Sequence, residues 1–483
     1  MRREITINIC WFKKDLRLKD HLPLTLASRD SYFPIFIFEP SISHHYDFDI
    51  RHWRFIYQSI MDMKQQGLNL NLFYGEAIDV FRYLFENLDI KTIFSHEESG
   101  NNLTYERDKD LKVFFRNQNV EWRESQTNMV IRGLRNRDGW DARWIKTAKG
   151  KALPIPDIKK AQELINHPFQ LPSEVKESLS SRTESIDSGG ERVAHVILED
   201  FYKTKIEDYW FSLSYPEKSR YYCSRLSSHI TYGNLTIRQV YQVGESFKPI
   251  VKNRKSLNQY LARLKWHCHF VQKFEMEPRI EFENLSKAFN SIRQKTNKTY
   301  VKAWKNGKTG YPLIDAAMRS VAETGYLNFR LRATVVSFLT HILWQPWQSG
   351  SGHLARMFVD YEPGIHFSQF QMQAGTTGIN AIRIYNPIKQ SKEKDKDGIF
   401  IKKWVPELSS LPSELIHEPW KLSEMEQLLY DFKLGSDYPR PIVKFEEAYK
   451  NAQKKLWEVK KSEENKYNAQ SILKKHTRRK RRA

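Results

Sequence analysis

Cysteine is scarce: Cys10, Cys223 and Cys268 are the only 3 in 483 residues. They lie far apart and form no C-x-x-C pair or Cys/His cluster. Neither a disulfide framework nor an iron–sulfur cluster held by four cysteines can be built from them, no metal site is expected, and buried or incidental thiols are. No apolar run reaches about 18 residues, which excludes a membrane-spanning helix. The opening MRREITINICWFKKDLRL breaks its apolar run at Asn8 and Lys13, too soon for a secretory leader. No G-x-G-x-x-G follows the first predicted strand, so the usual dinucleotide fingerprint is missing there. The expectation is an intracellular protein without a membrane partner.

Acidic residues are also short, with 57 Asp and Glu against 78 Lys and Arg and a net charge of +21. Seven positive charges, on Lys474, Lys475, Arg478, Arg479, Lys480, Arg481 and Arg482, crowd the last ten residues and leave +14 on the rest. A basic body favours a polyanion such as nucleic acid, and 13% aromatic residues supply faces on which bases or a flat cofactor stack.

Short apolar runs ITINICWF, YFPIFIF, LNLNLFY and IKTIFSH alternate with the helical patterns Trp53 to Gln66 and Ala77 to Asn87. They predict a doubly wound parallel α/β domain over residues 1–132. Residues 133–200 read as a linker whose 167–192 stretch, rich in Ser, Glu, Pro and Gly, suits an exposed segment. Helical periodicity then dominates a large all-α domain over 201–460, including Leu257 to Phe274, Pro312 to Glu323, Leu327 to Leu343 and Met425 to Phe432. Lys444 to Trp457 predicts a final charged helix, and 461–483 a basic tail without structure.

Three segments could carry chemistry. In GYLNFRLRATVVSFLTHIL, Arg330 and Arg332 leave the apolar face, and Arg332 could pair with Asp360 or Glu362. HFSQFQMQAGTTGIN offers uncharged amides and hydroxyls from Gln369, Gln371, Gln373, Thr376, Thr377 and Asn380, beside Gly375 and Gly378. It is either a wall for a flat heteroaromatic ligand or a polar loop capping a helix. Ser224, Arg225, Ser227 and Ser228 precede a predicted helix, as an anion site or a plain N-cap cluster.

Four ordered motifs resemble the photolyase and cryptochrome superfamily: WFKKDLRLKDHLPL, SRLSSHITYGNLTIRQVY, AWKNGKTGYPLIDAAMR, and RIYNPIKQ with FIKKWVPEL and IHEPW. The resemblance implies an α/β domain able to hold an antenna, a folate or a deazaflavin between which HEESGNNLTYERD does not choose. It also implies a helical FAD-binding domain. It assigns Tyr215, Ser224, Arg225, Leu226, Ser227, His267, Arg332, Asp360, Glu362 and His366 to cofactor binding. Trp266, Arg330, His366 and Met372 fall to catalysis and lesion contact. His366 replaces the asparagine nearest flavin N5, where an imidazole could titrate near neutrality. Trp304 and Trp347 match outer members of the tryptophan chain that re-reduces the flavin, while Phe370 interrupts its inner position; Trp344 or a tyrosine could substitute. Arg263 stands where repair enzymes carry a glutamate.

These readings imply a monomeric, light-driven photolyase that splits cyclobutane pyrimidine dimers in UV-damaged DNA. It would be cytoplasmic, with the nucleoid in a bacterial host or in the nucleus of a eukaryotic one. A cryptochrome-like blue-light receptor is the alternative, and a (6-4) photolyase the third.

Overall fold

The computed structural model describes residues 6–164, 166–181 and 183–477; the tail residues Arg478 to Arg482 lie outside them. Five parallel strands, β1 (Thr6–Phe12), β2 (Tyr32–Phe38), β3 (Asn71–Tyr74), β4 (Asp89–His96) and β5 (Glu121–Ser125), form one sheet in the order β3-β2-β1-β4-β5. Trp11 of β1 pairs with Ile35 on one side and Ser95 on the other, which places β1 at the centre, where the strand order reverses. β2 is buried throughout, as expected of a strand covered by helices on both faces. Helices Ile50–Gln65, Ala77–Asn87 and Asn102–Asn117 supply that cover.

Beyond β5 no further named strand occurs among the described residues, and helices build the rest. Its apolar core gathers Trp304, Phe338, Leu339, Trp347, Phe367 and Phe370 with side chains from the carboxy-terminal third. The fold is thus an α/β parallel-sheet domain followed by a large helical one.

Two expectations need correcting. The 167–192 stretch contains the Ser173–Ser180 helix with Leu179 fully buried, and Glu191, which starts the next helix (Glu191–Asp200), accepts from the Leu18 and Lys19 amides at 2.7 and 3.1 Å. This segment is docked on the sheet domain rather than free. Residues 463–476 of the expected tail form the Glu463–His476 helix. Ile472 packs into the core there, and Asn465 bonds the Ser286 hydroxyl at 2.9 Å. Buried Ile472 and the polar anchors Asn465 and His476, the latter beside Glu277, hold this helix, too few to mark it in a basic sequence.

Candidate functional site: two adjoining cavities in the helical domain

The Arg254–Met276 and Pro363–Ala374 helices cross so closely that a Cβ on Gly364 would sit 2.7 Å from the Val271 Cα. Gln259, Arg263, Trp266, His267 and Phe270, spaced three and four apart, turn one face of the first helix to the space between them. Ile365, Gln369, Met372 and Gln373 do the same from the second. Phe329, at the start of a third helix (Phe329–Ser337), is one of the residues between a cavity of about 490 Å³ and a neighbour of about 270 Å³. Phe329, Ile365, Gln369 and Gln373 line both.

In the smaller cavity, one terminal nitrogen of Arg332 donates to both Asp360 carboxylate oxygens at 2.8 and 2.9 Å, while Nε donates to the Leu327 carbonyl at 2.8 Å. Of the two predicted acidic partners, Asp360 makes the ion pair. Glu362 lines the same cavity, and burial pushes its carboxyl from the ordinary 4.5 up to about 7. The folded state therefore keeps a proton that the unfolded chain releases, so this group makes stability fall as pH rises between those values. E362Q should narrow the difference between urea midpoints measured at the acid and alkaline ends of that window.

His366 lines this cavity at 8% exposure. Its Nε2–H donates to the Ser351 carbonyl at 2.9 Å, which leaves Nδ1 as the acceptor. Burial holds the imidazole down at about 4, so it is neutral at physiological pH and does not titrate there as its sequence position suggested.

The other predicted residues divide. Ser227 lines the smaller cavity, and Trp266, His267 and Met372 the larger. Tyr215, Ser224, Arg225 and Leu226 line neither. Leu226 is fully buried core, and Tyr215 starts the Pro216–Tyr222 helix with the Lys394 ammonium 4.9 Å from its ring. Arg225 lies behind the cavity wall, its guanidinium 3.5 Å from the Tyr326 ring centroid and bonded to Asp187 at 2.7 Å. Arg330 also turns away from both cavities and donates to the Tyr385 hydroxyl at 3.2 Å. Gln371, expected on the ligand wall, instead staples the backbone, accepting from Leu285 N and donating to the Ile280 and Glu283 carbonyls. Sequence reasoning missed Gln259 and Phe270; their spacing from Arg263 and Trp266 on one helix was the available signal.

Along the expected electron route, Phe370 lines the smaller cavity, with its ring centroid 4.9 Å from His366 and 6.5 Å from Trp347. Trp304 is 0% exposed and donates its indole N–H to the Val335 carbonyl, so it cannot be the chain's contact with solvent. Trp344 is a poor substitute: the Arg293 and Lys455 cations stand 4.8 and 5.2 Å from its ring and oppose removal of an electron. Phenylalanine is harder to oxidise than tryptophan. F370W should therefore speed flavin photoreduction under blue light, at a packing cost of about 1–3 kcal/mol in stability.

A flat cofactor with hydrogen-bonding edges fits the groups around the smaller cavity. Arg225 Nη1, behind its wall, is buried without a hydrogen-bond partner, and the Arg332–Asp360 pair and the Gln369 and Gln373 amides face the cavity. By contrast, a cavity of about 100 Å³ at the ends of β1 and β2 has most of its charges already matched. There Arg107 pairs with Glu39, Glu98 and Asp108, and Lys13 with Asp108. The buried Asp15, His21 and His96 could be imagined around a cation, but Asp15 accepts from both imidazoles and from Lys13 N at 2.7 to 2.9 Å and is satisfied.

Fold and site together define a two-domain protein with a cofactor pocket in its helical half. A family model described as the FAD binding domain of DNA photolyase matches residues 260–458, and one described as DNA photolyase matches residues 8–142. The deoxyribodipyrimidine photo-lyase of Alkalihalophilus pseudofirmus is 26% identical over 92% of this chain and 97% of its own length. Cryptochrome DASH of Gloeobacter violaceus is 26% identical over 90% and 92%. The crystal structure of a class III photolyase from Agrobacterium tumefaciens superposes with a TM-score of 0.83 at 24% identity, covering 95% of this chain and 98% of that one. The chain belongs to the photolyase and cryptochrome family.

Proposed function

We propose that the protein is a light-driven DNA repair enzyme, a carbon–carbon lyase that splits cyclobutane pyrimidine dimers with bound, reduced FAD. The carrying observation is the larger cavity: it abuts the smaller one across Phe329 and presents Trp266, 56% exposed, at its rim. Two linked, adjacent pyrimidines of one strand, swung out of the duplex, can stack on that indole while their far edge lies against the partition. When bound, the reduced flavin supplies an electron on excitation by blue light and takes it back after the ring opens. Arg332, Asp360, Ser227 and Glu362 would hold the flavin ring and its chain, Arg225 would assist from behind the wall, and neutral His366 would offer an acceptor. The basic body would hold the phosphate backbone.

The (6-4) alternative requires an imidazole acid. Burial holds both His366 and His267 at about 4, so neither is a ready proton donor at neutral pH. The photoreceptor alternative draws on the altered lesion pocket and His366, but Phe370, which interrupts the route that re-reduces the flavin, weighs against it, and the base-sized cavity remains.

Oligothymidine dimers mixed with protein carrying reduced FAD should disappear under blue light and persist in the dark; dimers that survive illumination would end this reading. Loss of the stacking surface in W266A should weaken binding to dimer-containing DNA by about 1–3 kcal/mol while leaving flavin content unchanged, as read by titration of a labelled oligonucleotide.

A further inference from the structure

The lining of the larger cavity contains Arg263 and Arg383 and not one carboxylate. Arg263 makes no hydrogen bond or ion pair among the described residues. Its Nε is buried unpartnered, and its guanidinium rests 5.4 Å from the Phe329 ring between the two cavities. A half-buried arginine with a buried, unpartnered Nε and no acid beside it is free to meet a ligand in the cavity. His267, one turn along the same helix face, likewise has both ring nitrogens buried and unsatisfied. The remaining polar groups of the wall are the amides Gln259, Gln369, Gln373 and Asn380.

We propose that Arg263 is a catalytic residue: its guanidinium donates to the carbonyl oxygens of the bound pyrimidine pair and stabilises the negative charge the pair carries while its ring opens. The proposal rests on the repair reading above and assigns the group within that site that meets the substrate. A pyrimidine pair offers carbonyl acceptors along its edges, and a guanidinium only donates and stays charged at any working pH. During reaction the pair holds one extra electron, shared with its carbonyl oxygens. The two bonds joining the bases through C5 and C6 break, and the electron then returns to its donor. No proton is gained or lost, and Arg263 is neither oxidised nor reduced. A fixed cation placed where charge develops, in a half-buried wall, lowers the barrier to that transfer without reorganising.

The closing experiment compares the full-length wild type with R263Q and R263K, checked for equal flavin content. The probes are a dimer-containing oligothymidine and its undamaged counterpart. R263Q should bind the dimer roughly ten- to a hundredfold more weakly and bind undamaged DNA as wild type does. It should also split fewer dimers per absorbed photon once saturated, and R263K should recover part of that yield. Equal loss of affinity for both oligonucleotides, with a salt dependence shallower by about one phosphate contact, would make Arg263 a backbone contact and overturn the proposal. An unchanged R263Q would overturn it too and leave the repair reading intact. A wild type that splits no dimers would overturn both.

Discussion

Asparagine in place of Asp360 is expected to strip the protein of its flavin. The substitution keeps the shape of the side chain but removes the only carboxylate among the described residues that is paired with Arg332, whose terminal nitrogen meets both Asp360 oxygens within 2.9 Å. A cation in the cavity wall is then left without its partner, and it will either turn towards water or draw in a counter-ion. Losing one member of a desolvated pair costs about 2–5 kcal/mol, and the 28% exposure of the Arg332 side chain favours the lower end of that range. Flavin affinity should fall roughly 30-fold or more, visible as the loss of yellow colour on gel filtration. Because the ion pair joins the Phe329–Ser337 helix to the turn before Pro363–Ala374, D360N should also lower the melting temperature of the flavin-free protein. That fall should be smaller than the one for Asp315.

D315A is expected to be the most destabilising single change. Asp315 is fully buried and accepts four hydrogen bonds, from Thr309 N and its hydroxyl, Gly310 N and the Tyr438 hydroxyl, at 2.5 to 3.0 Å. The loop it holds passes under the carboxy-terminal segment so tightly that a Cβ on Gly310 would come within 2.5 Å of the Arg440 backbone. Alanine leaves four buried donors unpaired and opens a void beside them. A loss of about 3–5 kcal/mol should appear as a lower urea midpoint with an unchanged slope. Y438F removes one of those bonds and should cost about 1 kcal/mol.

Asp315 also shows where the sequence was informative and where it misled. AWKNGKTGYPLIDAAMR is among the strongest motifs in the chain, yet its residues build a buried staple and line neither cavity. The four apolar runs matched β1 to β4 because strands buried on both faces need continuous apolar sequence. β5, with the sequence EWRES, escaped because an edge strand can remain polar on its open side. The amide-rich HFSQFQMQAG proved to be a helix closed by Gly375 at φ 74°. Both of its sides are covered, one by the core and one by cavity wall, so no apolar stripe distinguishes it. Arg332 with Asp360 could be anticipated from residue type, whereas the inward turn of Gln371 onto backbone carbonyls and the depth of Trp304 depend on packing that spacing does not encode.

Under the proposed function, the two neighbouring cavities would bring an excited, reduced flavin and a pyrimidine dimer within electron-transfer reach of one another. The emission lifetime of the reduced flavin in the full-length protein measures that directly. Saturating dimer-containing oligothymidine should shorten the lifetime, because transfer to the dimer competes with emission, and undamaged oligothymidine should leave it alone. A lifetime that is the same with bound dimer as without would contradict the account.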